Sequence, residues 1–145
     1  VIEYNCRFGD PETQVVLPLL ESDLLTVMRA TAEGTLAQTE VKWRGGHACC
    51  VVLASRGYPT KYEKGFTLTL PDTKENEHIY VAGAVLEDGV LRTNGGRVVG
   101  ATAVADTLED AITAAYDLAG RIHFDNAYCR SDIGQRALAA GKGRE

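Results

Sequence analysis

Arg97-Val98-Val99-Gly100-Ala101-Thr102-Ala103-Val104 is the stretch that decides the fold, together with the stripe Leu108, Ala111, Ile112, Ala115, Leu118 and Ile122 that follows Thr107. The first part is an apolar, β-branched run entered through the turn Asn94-Gly95-Gly96, so it reads as a strand from Arg97 to Val104. The second spaces its apolar residues three and four apart, which puts them on one side of a helix started by Thr107. Upstream, His47–Ser55 is almost continuously apolar and predicts a buried strand. Arg56-Gly57-Tyr58-Pro59 is a turn, and Phe66-Thr67-Leu68-Thr69-Leu70 alternates as a half-buried strand does from Gly65 to Leu70. Ile79–Leu86 and Gly89–Arg92 predict a hairpin around Glu87-Asp88-Gly89, and a last short helix is expected from Ser131 to about Ala140, ahead of a disordered tail from Gly141. Several strands joined by tight turns and then a helix predict an antiparallel α+β domain.

Working toward the N-terminus, Thr35–Gly46 is polar and mixed, and the domain boundary is placed there, between residues 1–40 and 41–145. Ser22 is expected to cap a helix carrying Leu24, Leu25, Val27 and Met28, with Gly34 as its stop. Before it, Asp10-Pro11-Glu12 reads as another helix start, with Asp10 at the N-cap and proline in the first turn; Pro18 should kink or break that helix early. Ahead of it stands Val1-Ile2-Glu3-Tyr4-Asn5-Cys6-Arg7-Phe8. Read as a strand, it projects Glu3, Asn5 and Arg7 from one face. A carboxylate and an amide oxygen are hard ligands suited to Mg²⁺ beside substrate phosphates, and a neighbouring guanidinium would complete a clamp for phosphate or carboxylate.

The 145 residues have room for about one domain, and 45% apolar content is enough to build a core. A formal charge of −5 argues against nucleic acid or an anionic membrane surface as partner. No apolar run approaches the roughly 20 residues that span a bilayer. Cys6, Cys49, Cys50 and Cys129 contain no C-x-x-C pair and read as buried, reduced thiols of a cytoplasmic protein. His47, His78 and His123 are too scattered to suggest a metal site or a triad. Asn94-Gly95-Gly96-Arg97 lacks the Lys-Ser/Thr of a phosphate loop and reads as a structural turn, with Arg97 lining an interface toward further domains.

Glu3-x-Asn5-x-Arg7-Phe8-Gly9-Asp10-Pro11-Glu12-Thr13-Gln14 resembles the end of the ATP-grasp catalytic domain of the phosphoribosylamine–glycine ligase (glycinamide ribonucleotide synthetase) family, whose signature octapeptide matches Arg7–Gln14. The resemblance continues in order through Ala54-Ser55-Arg56-Gly57-Tyr58-Pro59, Thr93-Asn94-Gly95-Gly96-Arg97-Val98 and Tyr128-Cys129-Arg130-Ser131-Asp132-Ile133-Gly134. It implies the last strand of an ATP-grasp domain, followed by a small sheet-and-helix C-terminal domain of the rudiment single hybrid motif type. It also implies a missing N-terminal part bearing the nucleotide-clamping lysines and the adenine pocket. The implied activity is ligation of glycine to 5-phosphoribosylamine through glycyl phosphate in purine biosynthesis, with ATP as co-substrate and Mg²⁺ or Mn²⁺ as the ion.

By the same resemblance Glu3 and Asn5 are metal ligands, and Arg7 is catalytic, placed where negative charge builds up. Gly9, Asp10 and Glu12 are candidate substrate-binding residues, each with a structural alternative. Asp10 either caps the helix or orients an amine. Glu12 either complements the helix dipole or does the same, and Gly9 either turns the chain or admits substrate to the backbone. As an isolated polypeptide the chain is expected to act as a docking module, without ATP binding or product formation. Another ATP-grasp carboxylate–amine ligase is the remaining alternative.

Overall fold

The computed structural model describes residues 1–4 and 6–141. Among these described residues six strands form: β1 (His47–Ser55), β2 (Glu77–Val81), β3 (Ala84–Glu87), β4 (Val90–Thr93), β5 (Arg97–Ala105) and β6 (Ala127–Tyr128). Four α-helices accompany them: α1 (Thr13–Val16), α2 (Leu24–Ala32), α3 (Leu108–Arg121) and α4 (Gln135–Gly141). The main sheet has the order β2-β5-β1-β6 and is antiparallel throughout, and β3–β4 is a separate hairpin. The hairpin turns at Asp88 and Gly89, both at positive φ (50° and 77°), the backbone that matches the twist of two tightly joined strands.

The two faces of the main sheet differ. Cys49, Val51 and Leu53 of β1 and Ala101 and Ala103 of β5 point to the face closed by α3, whose Ala111, Ile112, Ala115, Leu118 and Ala119 are buried against them. Small alanines on both sides bring helix and sheet close, and Leu118 and Val51 have no exposure at all. Burying each such large side chain contributes roughly 1.5–3 kcal/mol. Ala48, Cys50, Val52 and Ala54 alternate onto the opposite face and are half-buried there.

One register change matters for that opposite face. From His47↔Ala105 to Leu53↔Val99 the partners follow one register, but Ala54 then pairs with Arg97, leaving an extra residue in β5. Residues directly opposite in an antiparallel pair share a face, so the bulge moves Arg97 to the face of Ala54 and Cys50. In the unbroken register it would have shared the α3 face with Val99.

The α+β architecture, β1, β5, the hairpin turn and α3 with its Thr107 cap agree with the sequence expectations; the Thr107 hydroxyl accepts from the Asp110 amide at 3.1 Å. Several expectations are corrected. Residues 1–4 and 6–8 form no strand, because they join neither sheet and alternation alone makes no ladder. Glu12, not Asp10, occupies the cap position of α1, without a side-chain cap; the helix does give way to a 3₁₀ turn at Leu17–Leu19, around Pro18. Asp23, not Ser22, caps α2, accepting from Thr26 N–H at 2.7 Å, while Ser22 Oγ accepts from Lys42 N–H. Gly34 ends α2 at φ 71° as expected.

The expected 79–86 strand is split between β2 and β3 at Ala82-Gly83, both of whose amides donate to Val98 O. Gly65–Leu70 keeps its alternation, with Leu68 buried, but makes isolated bridges to Arg92 and His123 instead of a ladder. The last helix begins at Gln135, four residues later than expected. Ahead of it the Asp132 carboxylate takes Arg130, and Ile133 N–H donates to the Tyr116 hydroxyl. The tail expected to be disordered lies outside the described residues beyond Gly141.

Candidate functional site

The octapeptide Arg7–Gln14 leads into α1, which packs on the edge of the sheet face not covered by α3. Thr13 donates both its amide and its hydroxyl to Gly9 O, closing a tight turn around Pro11 and Glu12. The Glu12 carboxylate folds over Gly9 so closely that a Cβ there would stand 1.3 Å from Oε2. Glycine at position 9 therefore leaves room for Glu12, which joins two of the expected substrate-binding residues in one contact. Asp10 is held from two sides. Its Oδ1 accepts from Gln14 Nε2 at 2.9 Å, and its Oδ2 accepts from Arg97 Nη2 at 3.0 Å. Arg97 Nη1 also donates to the Asp10 carbonyl at 3.0 Å.

Arg97 reaches Asp10 because of the loop that carries it. Ser55, fully buried at the end of β1, donates its amide to Gly96 O and its hydroxyl to Gly95 O. Asn94 N–H donates to Gly83 O, and a Cβ on Gly95 would meet Gly83 Cα at 2.8 Å. A Cβ on Gly96 would strike the Tyr58 ring at 2.0 Å. Two glycines thus let the turn press flat between Gly83 and Tyr58, and the bulge then aims Arg97 across the sheet. The resulting ion pair is more than a third exposed on both sides (40% and 58%), a setting in which such a pair adds only about 0–1 kcal/mol to stability. That is too little for stability alone to account for the bulge and the glycine-packed loop.

Asp10 lies near Cys50 as well. Burial pushes the Cys50 thiol up, the neighbouring Thr102 hydroxyl draws it back in part, and the Asp10 charge adds to the rise. Burial pushes Cys49 up to about 11. Both thiols are protonated at neutral pH, which removes them as nucleophiles. The expectation of four buried thiols is corrected at Cys6, which is exposed; Cys50 and Cys129 are half-buried, and all four are free. His47, His78 and His123 are exposed on separate elements, and no cluster of three His, Cys, Asp or Glu side chains exists among the described residues.

Glu3 and Arg7 are exposed, on a segment that forms no strand among the described residues. Asn5 lies outside the described residues. As a donor set, an exposed carboxylate and an amide oxygen two residues on are hard ligands of the kind Mg²⁺ and Mn²⁺ accept, so the chemistry of the residues fits the ion. What the sequence reading missed is the partnership of Asp10 with Arg97, 87 residues away; the Gly95-Gly96 pair directly before an arginine was its one visible trace.

The family described as Phosphoribosylglycinamide synthetase, C domain, matches residues 48–136. A phosphoribosylamine–glycine ligase of Agrobacterium fabrum is 45% identical over 143 residues, covering 98% of this chain and 34% of the relative. The ligase of the same name from a Synechocystis strain is 48% identical, covering 95% of this chain and 34% of its own length. A bifunctional purine biosynthetic protein of Dictyostelium discoideum is 46% identical over 95% of this chain, which there makes up 17% of the relative. The crystal structure of phosphoribosylamine–glycine ligase from Thermotoga maritima superimposes with a TM-score of 0.74 at 42% identity, over 92% of this chain and 33% of that one. The chain therefore spans about a third of the length of the single-function ligases it matches.

Proposed function

Since the chain belongs to the Phosphoribosylglycinamide synthetase C-domain family, we propose that it forms the C-terminal third of an ATP-dependent ligase joining glycine to 5-phosphoribosylamine in purine biosynthesis. The observation that carries the reading is the turn Gly9–Thr13. It leaves Asp10 and Glu12 exposed at the sheet face that α3 does not close, beside an equally exposed Arg7.

In this reading the γ-phosphoryl group of ATP passes to a carboxylate oxygen of glycine and ADP leaves. The amine of 5-phosphoribosylamine then attacks the acyl carbon, a C–N bond forms, the C–O bond to phosphate breaks, and the amine's proton leaves with phosphate or to solvent. Arg7 supplies a permanently charged fork where oxyanion charge builds during both steps. Asp10 and Glu12 accept from an amine and orient its lone pair, and the closed turn at Gly9 sets the distance between them. Glu3 and Asn5 would hold Mg²⁺ or Mn²⁺, which when bound neutralises triphosphate charge.

The partner of this chain is the remaining two-thirds of the ligase. An apolar cavity of ≈ 510 Å³ between Phe8, Leu20, Leu24, Met28 and Trp43 supports that docking, with Phe8, Met28 and Trp43 each at least half exposed. Residues 1–40 then belong to the catalytic body and 41–145 to the C-terminal domain, and the isolated chain makes no product. No helix among the described residues is long and apolar enough to cross a membrane.

The test is the complete ligase assayed with glycine labelled with heavy oxygen in its carboxylate. One labelled oxygen should appear in the released phosphate, and Glu3→Gln should abolish Mg²⁺-dependent turnover. Phosphate free of label would end the acyl-phosphate route, and turnover within a few-fold of wild type would end the ligand role of Glu3.

A further inference from the structure

We propose that Arg97 is a positioning residue for the ligation, holding the Asp10 carboxylate so that its remaining lone pairs accept from the amine of one substrate. This rests on the ligase reading above and deepens it. A carboxylate offers about four acceptor positions, of which Arg97 Nη2 and Gln14 Nε2 occupy one on each oxygen. The remaining positions lie on a side chain 58% exposed, open to an incoming donor. Arg97 Nη1 fixes the Asp10 carbonyl at the same time, so the guanidinium holds both the backbone and the side chain of that residue. A planar fork can do this, and a lysine ammonium reproduces only part of it.

The scaffold behind Arg97 is built for placement. The β5 bulge turns it from the α3 face to the Asp10 face, and bulges recur where a side chain must be re-aimed at a site. Ser55, Gly83 and Tyr58 immobilise the Asn94–Gly96 turn through backbone bonds and contacts that leave no room for a Cβ. Supporting residues locked in this way are how a reacting constellation is kept within a fraction of an ångström. The C-terminal domain thereby contributes to the substrate site itself as well as docking against it.

The experiment uses the complete ligase and measures KM separately for ATP, glycine and 5-phosphoribosylamine in Arg97→Met, Arg97→Lys, Asp10→Asn and the Arg97–Asp10 double variants. Losing a charge-assisted hydrogen bond should raise the KM of one amine substrate on the order of 10-fold or more in Arg97→Met, with ATP KM within about threefold. The substrate affected identifies the amine that Asp10 holds. Arg97→Lys should recover part of the loss, and with Asp10 already Asn, a change at Arg97 should add less than about threefold, because the two act as one unit. Should Arg97→Met not fold, the cycle runs with Arg97→Lys. Equal rises in all three KM values, or fully multiplicative effects of the two sites, would overturn the positioning role while wild-type turnover leaves the ligase reading intact. A wild-type ligase that makes no glycinamide ribonucleotide would overturn both.

Discussion

The two faces of the four-stranded sheet carry different duties. Toward α3 the surface is dry and interlocked: Val51, Ala101, Ala115 and Leu118 are wholly buried, and no charged side chain lies among them. Toward α1, β1 presents half-buried Ala48, Cys50 and Val52 beside Gly100, Thr102 and Val104 of β5, which are buried, and there the polar crossing from Arg97 to Asp10 and the exposed octapeptide lie. The contrast teaches that one face holds the domain together, which frees the other to be shaped by chemistry. A bulge that would be a flaw in the first is the device that arms the second.

If the faces are separate in this way, substitutions should sort cleanly. The largest effect is expected at Leu118→Ala, where deleting a fully buried side chain should cost about 2–5 kcal/mol in urea unfolding, with KM values of the folded fraction of the ligase unchanged. A matching loss of substrate affinity would break the separation. Arg7→Ala, on the other side, should lower kcat of the complete ligase on the order of 10²-fold, about 2.7 kcal/mol, while the melting temperature stays put. An effect confined to ATP KM would move Arg7 to ground-state binding.

The smallest of the three concerns Glu77, buried at the margin of the α3 face and paired there with Arg121. Burial alone pushes its carboxyl up, but the Lys74 amide, the Arg121 hydrogen bond and both positive charges outweigh this and hold it below the usual glutamate range. A lowered folded-state pKa means the unfolded chain binds the proton more readily. The pair therefore stabilises fully above the ordinary glutamate pKa, and that stability is lost as pH falls through the lower folded value. Glu77→Gln should destabilise by roughly 1–2 kcal/mol at neutral pH and flatten the acid limb of the stability curve. An unchanged limb would remove Glu77 from it.

How much of this was legible in the sequence follows from the range of the interactions. β1, β5, α3 and the Asp88-Gly89 turn were legible because alternation, helical spacing and turn residues act over a few positions. The strand expected ahead of Gly9 is absent from described residues 1–4 and 6–8 because a strand is a ladder, which alternation alone does not build. The shift of the cap from Ser22 to Asp23 turned on which of two adjacent oxygens reaches the Thr26 amide, a difference sequence spacing cannot resolve. Asp10 was legible as a polar residue before a helix. Its hold by Arg97 was not, because it depends on one extra residue in β5, and a bulge changes facing without changing composition.

The most direct test of the two-face account is amide hydrogen exchange on the complete ligase, with and without ADP and glycinamide ribonucleotide. Residues 7–14 and 94–97 should gain protection together on ligand addition, while 111–119 on α3 exchange at the same slow rate in both states. Protection gained on α3, with the octapeptide and the 94–97 turn unchanged, would contradict it.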